Sequence, residues 1–410
     1  MTDILIYTRD VCPYCNRAKA LLSAKGQTYR EINVTHDAAA KAEMIERSGR
    51  RTMPQIFIDG DHVGGFDDLS AEDASGALDT RLGLEDAKGE DLASSIVIIG
   101  SGPAGLSAAI YAARAGHTPI VVTGDEAGGQ LTTTTEVENW PGGPEGLQGQ
   151  DLIDQLTAHA ERAGAKIVTD TITAVDSSRR PFILTGRRNR YHADSVIVAT
   201  GATARYLGLD SEATYLGRGV SACATCDGFF FKDQTVAVVG GGNSAVEEAL
   251  YLTSIARHVT LIHRRDTLKA ERVLQDRLFE KAEAGDVTLL WHHEVGDVLG
   301  DADGVTGLEL RDARTGETHI LPVDGLFVAI GHDPNTALFK DTLEMTGGYI
   351  TTGHATEAKR DGAATQTSVP GIFAAGDVSD PVYMQAITSS ALGAMAALDA
   401  DKYLTREGLS

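Results

Sequence analysis

The chain has 410 residues, 42% of them hydrophobic and 23% charged, enough for two to four buried cores. Its formal net charge of −22 repels nucleic acid and anionic lipid, so neither is an expected partner. Only four cysteines occur, in two C-x-x-C pairs, which argues against a secreted disulfide framework and for redox or metal chemistry.

The opening stretch Met1-Thr-Asp-Ile-Leu-Ile-Tyr-Thr8 reads as a short strand, not a basic leader. Apolar runs such as Ser95-Ile-Val-Ile-Ile99 are too short to span a bilayer, so a cytoplasmic location is expected. Cys12-Pro13-Tyr14-Cys15 follows the first strand, and helical periodicity runs from Arg17 to Ala24. Cys12 then sits at a helix N-terminus, where the dipole and free N–H groups favour a thiolate. Cys12 is the expected nucleophile and Cys15 the resolving thiol. Thr52-Met53-Pro54 directly precedes a strand, and a cis bond there would hold the Met53 backbone open to an incoming peptide. The turn Gly64-Gly65-Phe66-Asp67-Asp68 can offer N–H groups and a carboxylate to a small peptide.

These pieces resemble a dithiol glutaredoxin over residues 1–83. The resemblance implies a thioredoxin-like fold, with glutathione contacts at Tyr14, Thr52, Met53, Pro54, Gly65 and Asp67. Valine is common where Met53 stands. Zinc is the alternative for paired cysteines, but neither pair has a histidine at ligand spacing, and no metal is expected. Residues 84–94 are charged and aperiodic and read as a tether, giving an effective concentration on the order of millimolar between the parts it joins.

Two strand–glycine–helix patterns come next. The first carries Gly100, Ser101, Gly102, Pro103, Ala104 and Gly105; the second carries Gly240, Gly242, Asn243, Ser244 and Ala245. After the second, His263, Arg264 and Arg265 stand at a strand end. An acid there would suit NAD ribose; cations suit the 2′-phosphate of NADP. The runs ending Ala199-Thr200-Gly201 and Ala329-Ile330-Gly331 mark where the chain leaves one nucleotide-binding domain and re-enters it. Gly376-Asp377 ends a further strand, and a helix from Gln385 could point its N-terminus at a flavin. Between the two patterns lies Cys223-Ala-Thr-Cys226-Asp227, a reversible disulfide with an acid beside it.

This order resembles the low-molecular-weight thioredoxin reductases, through Gly128–Pro141, Ser221–Phe230 and His263-Arg-Arg. The resemblance implies an α/β chain: a thioredoxin-like domain, then two Rossmann-like domains, the NADPH domain (206–332) inserted in the FAD domain (95–205 and 333–404). It implies FAD contacts at Gly100–Gly105, Thr123, Gly124, Gly129, Gln130, Asn139, Ala199–Gly201, Gly376, Asp377, Gln385 and Ala386. NADPH contacts are implied at Gly242–Ala245 and His263–Arg265. Cys226 is placed nearer the flavin, Cys223 attacks the outside disulfide, and Asp227 protonates the leaving thiolate. Met384 and Lys269 stand where the family usually has arginine. Rotation about 202–206 and 331–334 and a homodimer are also implied.

The resulting expectation is a disulfide reductase passing electrons from NADPH to FAD, to Cys223/Cys226, then to Cys12/Cys15 or to thioredoxin, and so to protein disulfides and glutathione mixed disulfides. The alternatives are a reductase with an independently acting glutaredoxin, a peroxidase-feeding flavoprotein, and an iron–sulfur or redox-sensing module.

Overall fold

The computed structural model describes residues 2–10, 12–83, 89–134, 136–353 and 363–409. It contains two compact units, Met1–Ala202 with Pro334–Ser410, and Thr203–Asp333.

The first unit begins with β1 (Ile4–Thr8), buried throughout because it is the centre of a small sheet. Then come α1 (Pro13–Ala24), β2 (Arg30–Asn33), α2 (Ala38–Ser48), β3 (Gln55–Ile58), β4 (Asp61–Gly64), α3 (Phe66–Ser75) and α4 (Ala77–Arg81). The strand order is β2-β1-β3-β4, with β1 parallel to β2 and antiparallel to β3. Helix α1 starts four residues before the expected Arg17, so Cys12 becomes its cap. Asp37 caps α2 by accepting from the N–H groups of Ala39 and Ala40. Ile6, Leu22, Ile56, Phe66 and Leu69 close one core of this thioredoxin-like sheet.

A larger sheet follows: β5 (Asp91–Ile99), α5 (Pro103–Arg114), β6 (Ile120–Val122), α6 (Gly149–Ala163), β7 (Lys166–Val168), β8 (Ile172–Asp176), β9 (Phe182–Gly186) and β10 (Arg190–Val198). Here one expectation is corrected. Residues 91–94, read as tether, pair with Arg190–Ala193 as the first rungs of the β5–β10 ladder. The ladder satisfies their backbone groups, which outweighs their polar composition. Residues 84–88 lie outside the described residues.

The chain crosses into the second unit at β11 (Ala202–Ala204). That unit holds α7 (Asp210–Tyr215), β12 (Val220–Ser221), α8 (Ala224–Asp227), β13 (Thr235–Gly240), α9 (Asn243–Leu252), β14 (His258–His263), α10 (Arg272–Glu283), β15 (Val287–Trp291), β16 (His293–Gly300), β17 (Val305–Asp312), β18 (Thr318–Leu321) and β19 (Gly325–Ala329). Its parallel sheet runs β12-β19-β13-β14-β15, and β16-β17-β18 forms an antiparallel sheet. The chain returns through β20 (His332–Pro334), which pairs with β11.

Strands β21 (Met345–Thr346), β22 (Tyr349–Ile350) and β23 (Ile372–Ala374) and helix α11 (Ala386–Glu407) complete the first unit. Its sheet runs β7-β6-β5-β10-β9-β8, with β23 beside β10. Ala109, Ala396 and Ala400 are small enough, and Gly393 bare enough, to let α5 and α11 pack together over Ile96, Ile98 and Phe373. One nucleotide-type α/β unit is thus interrupted by the other. Among the described residues, no helix is long and apolar enough to cross a membrane.

Candidate active site

Cys223 and Cys226 form a disulfide with Cα atoms 5.3 Å apart. Cys223 stands in an extended conformation before α8, and its Sγ accepts the Cys226 N–H at 3.2 Å. The Cys223 N–H donates to Ser221 Oγ at 3.0 Å, so the residue just upstream fixes the entry to the ring. Downstream, Phe229 and Phe230 are exposed, at 67% and 39%, and meet edge to face. They present a large apolar surface beside the disulfide.

Two carboxyls face this ring. Burial pushes the Asp227 carboxyl above the usual aspartate range, and a hydrogen bond from Ser221 opposes that shift. Burial also pushes Glu248 up to about 7, opposed by a hydrogen bond from the Ala224 backbone and reinforced by the charge of Asp227. Glu248 escaped the sequence reading because Val-Glu-Glu looks like a solvated helix face. A signal was present: Glu248 lies three residues after Ala245 and four before Leu252, both buried, hence on the apolar stripe of α9.

In the same unit β13 and α9 form the second glycine turn, with Gly242 in extended backbone just before the helix. A Cβ on Gly242 would meet nothing within 4 Å. The fold does not need glycine there, so the bare backbone is free for a ligand to approach. Asn243 Oδ1 accepts the Glu271 N–H at 2.8 Å. Ser244 is exposed, and Ala245 is buried against the sheet. At the end of β14 stand His263, Arg264 and Arg265. His263 Nε2–H donates to the Thr267 carbonyl at 3.0 Å, and the ring packs edge-on to Trp291. Burial lowers its pKa, hydrogen bonds to the Thr267 and Gly240 carbonyls oppose that shift, and the charges of Arg265 and Arg264 add to it. Arg264 and Arg265 are exposed and in no ion pair among the described residues.

In the first unit the Gly100–Gly105 turn joins β5 to α5. Gly102 again has no steric reason to be glycine, its nearest neighbour to a new Cβ being Gly128 O at 3.7 Å. Gly105 differs, because a Cβ would lie 1.9 Å from Gly100 O. Gly105→Ala should therefore cost about 1–3 kcal/mol of stability by overpacking, read as a fall in Tm, whereas Gly102→Ala should leave Tm unchanged. Ser101 Oγ accepts the Gly128 N–H at 2.9 Å, holding the next loop against this turn. Thr123 follows β6, and the Gly124 N–H donates to Asp170 O. Gln130 Nε2 donates to the Ala202 carbonyl. Asn139 Nδ2 donates to Gln385 Oε1 at 3.1 Å, so two expected flavin contacts from distant segments meet. Thr200 Oγ1 donates to Asn335 O at 2.7 Å. Asp377, after Gly376, is pushed upward by burial and accepts from Ser389 Oγ at 2.7 Å. Ala386 begins α11, and Met384 holds a left-handed φ of 46°. An open glycine turn, a partly buried carboxyl at a strand end and a helix start converge here, and they fit a dinucleotide.

In the N-terminal part Cys12 and Cys15 are disulfide-bonded, with Cα atoms 5.2 Å apart. The Cys15 N–H donates to Cys12 Sγ at 3.2 Å, as the helix cap requires. Met53–Pro54 is cis, and Met53 O lies 3.9 Å from Cys12 Sγ. Thr52 is exposed and its carbonyl accepts from Gln55 Nε2 at 2.9 Å. Asp68 is occupied structurally: it accepts the Gly65 N–H at 2.9 Å and pairs with Arg50, leaving Asp67 exposed on the first turn of α3. The Arg17 guanidinium lies 4.3 Å from the Phe66 ring centre and within reach of Tyr14. Arg17 also pairs with Glu126, and Arg188 with Asp79 at 2.8 Å, joining this part to the loops of the larger sheet. The Arg17 side chain is only 11% exposed in this contact, and Arg187 also reaches Asp73 at 4.0 Å.

Among the described residues, no group of three or more His, Cys, Asp or Glu side chains could hold a metal. Residues 94–393 match the family model for pyridine nucleotide-disulphide oxidoreductases, and residues 4–63 match that for glutaredoxins. A thioredoxin reductase from Coxiella burnetii is 56% identical over 311 residues, 76% of this chain and 96% of the relative. A glucosaminate ammonia-lyase from Pseudomonas fluorescens is equally similar, at 56% over 311 residues, with the same coverage of both chains. Identity alone does not separate those two activities; the paired Cys223 and Cys226 favour the disulfide chemistry. The solved thioredoxin reductase from Giardia duodenalis matches with a TM-score of 0.71 and 37% identity over 77% of this chain and 99% of that one. The chain belongs to the pyridine nucleotide-disulphide oxidoreductases, among the thioredoxin reductases, and bears a glutaredoxin domain at its N-terminus.

Proposed function

We propose that the chain is an NADPH-dependent disulfide reductase whose Cys223–Cys226 pair serves both external disulfide proteins and its own Cys12–Cys15 pair. The observation that carries this reading is a disulfide ring capping a short helix, with a protonatable acid beside it. FAD would be held by Gly100–Gly105, Thr123, Gly124, Gly129, Gln130, Asn139, Ala199–Gly201, Gly376, Asp377, Gln385 and Ala386. NADPH would lie along Gly242–Ala245, with Arg264 and Arg265 on its 2′-phosphate. The bound flavin would supply the two-electron reduction of the ring from the nicotinamide.

The thiols do the rest. The Cys223 thiolate attacks one sulfur of the incoming disulfide, and the other sulfur leaves as a thiolate. Asp227, kept neutral more readily by burial, gives that thiolate its proton. Cys226 then attacks Cys223 Sγ, closes the ring and frees the second product thiol. One disulfide and one dithiol become two thiols and one disulfide. Phe229 and Phe230 support a protein partner, since they give it an apolar landing next to the ring. At the other end Cys12 attacks a glutathione mixed disulfide. Glutathione would lie along Tyr14, Thr52–Pro54, Gly65 and Asp67, and the exposed Asp67 suits its α-amino group.

NADPH should bleach the flavin band of the purified protein, and a disulfide substrate should restore it. Replacing both Arg264 and Arg265 with alanine should lower kcat/KM for NADPH by about 10–100-fold, because their charge-assisted hydrogen bonds to the 2′-phosphate are together worth about 1.5–3 kcal/mol at this exposed site. Activity with NADH should stay level. Equal losses with both nucleotides would remove the 2′-phosphate role.

A further inference from the structure

We propose that Glu248 is a positioning residue for the Cys223–Cys226 couple, anchoring the turn between the cysteines and taking up a proton as the disulfide is reduced. The inference rests on the disulfide-reductase reading, because it assigns Glu248 to that same couple.

The placement follows from packing. Ala224, inside the C-x-x-C ring, shares a core with Val246, Ala249 and Leu252 of α9. Just past the ring, a Cβ on Gly228 would come 3.0 Å from Leu252 Cδ2, so the ring and its exit lie directly on that helix. Glu248 is on the same stripe and is carried into this contact. One part of its carboxyl engages the Ala224 backbone. The other oxygen, Oε2, is buried with no hydrogen-bond partner among the described residues. A bare carboxylate oxygen in that position is costly, and a proton on it relieves the cost. The neighbouring charge is Asp227, from the far end of α8; Glu247, next on α9, points to solvent.

Reduction breaks the S–S bond and adds two electrons. With one proton the ring becomes a thiol and a thiolate; the second proton goes to Glu248, whose ionised form is disfavoured by the new negative charge. The electrons come from NADPH in the proposed reaction. Below its pKa Glu248 is already protonated and adds no proton uptake. Above it, a charged Glu248 resists reduction until it binds a proton.

The test uses the full chain carrying Cys12→Ser and Cys15→Ser, so that only Cys223 and Cys226 exchange. The protein is equilibrated with reduced and oxidised dithiothreitol at about pH 6 and about pH 8.5, on either side of that titration. The thiols are then alkylated and counted by mass. Glu248→Gln keeps the size and an acceptor oxygen but not the charge. It should match the parent protein at the lower pH. At the higher pH it should be the more readily reduced, by about tenfold in equilibrium constant, or ~30 mV. Glu248→Asp, which keeps the charge, should retain the behaviour of glutamate. Equal constants for the parent protein and Glu248→Gln at both pH values would overturn the proposal. So would a Glu248→Asp variant that behaves like Glu248→Gln. Neither readout needs NADPH or a physiological substrate, so failure here is distinct from failure of the functional reading.

Discussion

Cys226→Ser should lower NADPH-driven disulfide reduction by at least about 10³-fold, because no second sulfur remains to close the ring and release the product. The variant should still be reduced by NADPH at its flavin, which separates a lost relay from a lost cofactor. Cys223 should then accumulate as a mixed disulfide with the substrate, visible by mass. The Cys223 Sγ accepts the Cys226 N–H, and serine at 226 keeps that backbone contact, so the fold around the ring should survive. Turnover close to that of the unmodified protein would mean that electrons leave by another path, and the ring would lose its assigned role.

The second large effect concerns the other pair. Cys12→Ser should remove NADPH-driven reduction of glutathione mixed disulfides, again by about 10³-fold or more, while leaving thioredoxin reduction intact. Glutaredoxin couples lie at about −200 to −230 mV and thioredoxin at about −270 mV, so a dithiol able to reduce thioredoxin can reduce Cys12–Cys15 downhill. Cys15→Ser separates internal supply from supply by free glutathione. Cys12 alone can still take up a mixed disulfide, but without Cys15 it cannot form the ring that Cys223 would attack. Activity of that variant should depend wholly on added glutathione. If Cys12→Ser keeps full activity, the two redox pairs work separately.

Much of this was legible in the chain because the informative features are local. A C-x-x-C ring closes across four consecutive residues, and a strand–glycine–helix turn is written in one short run. The place of Cys12 as a helix cap, the interruption of one nucleotide unit by another, and the meeting of Gly376–Asp377 with the first glycine turn all follow from such runs. Where local composition misled, longer-range forces had decided. Residues 91–94 look like tether, yet β10 offers them hydrogen-bond partners nearly a hundred residues away. Met384 takes a left-handed conformation that no spacing rule anticipates.

The sequence by itself determined which atoms can react: four sulfurs in two rings, Asp227 bonded next to one of them, and bare glycine backbone at two strand ends. Only the tertiary structure decided how protons and charges are distributed around them. His263 stands in a basic run, and burial lowers its pKa. Asp67 and Asp68 look alike in sequence, yet Asp68 is spent on accepting the Gly65 N–H, which leaves Asp67 exposed. Glu248 reads as a surface acid and is turned inward onto Ala224, with one oxygen unpaired. The physical reason is common to all three. Covalent chemistry is set by residue identity, whereas a group's protonation depends on its lost water and on neighbours brought close by packing.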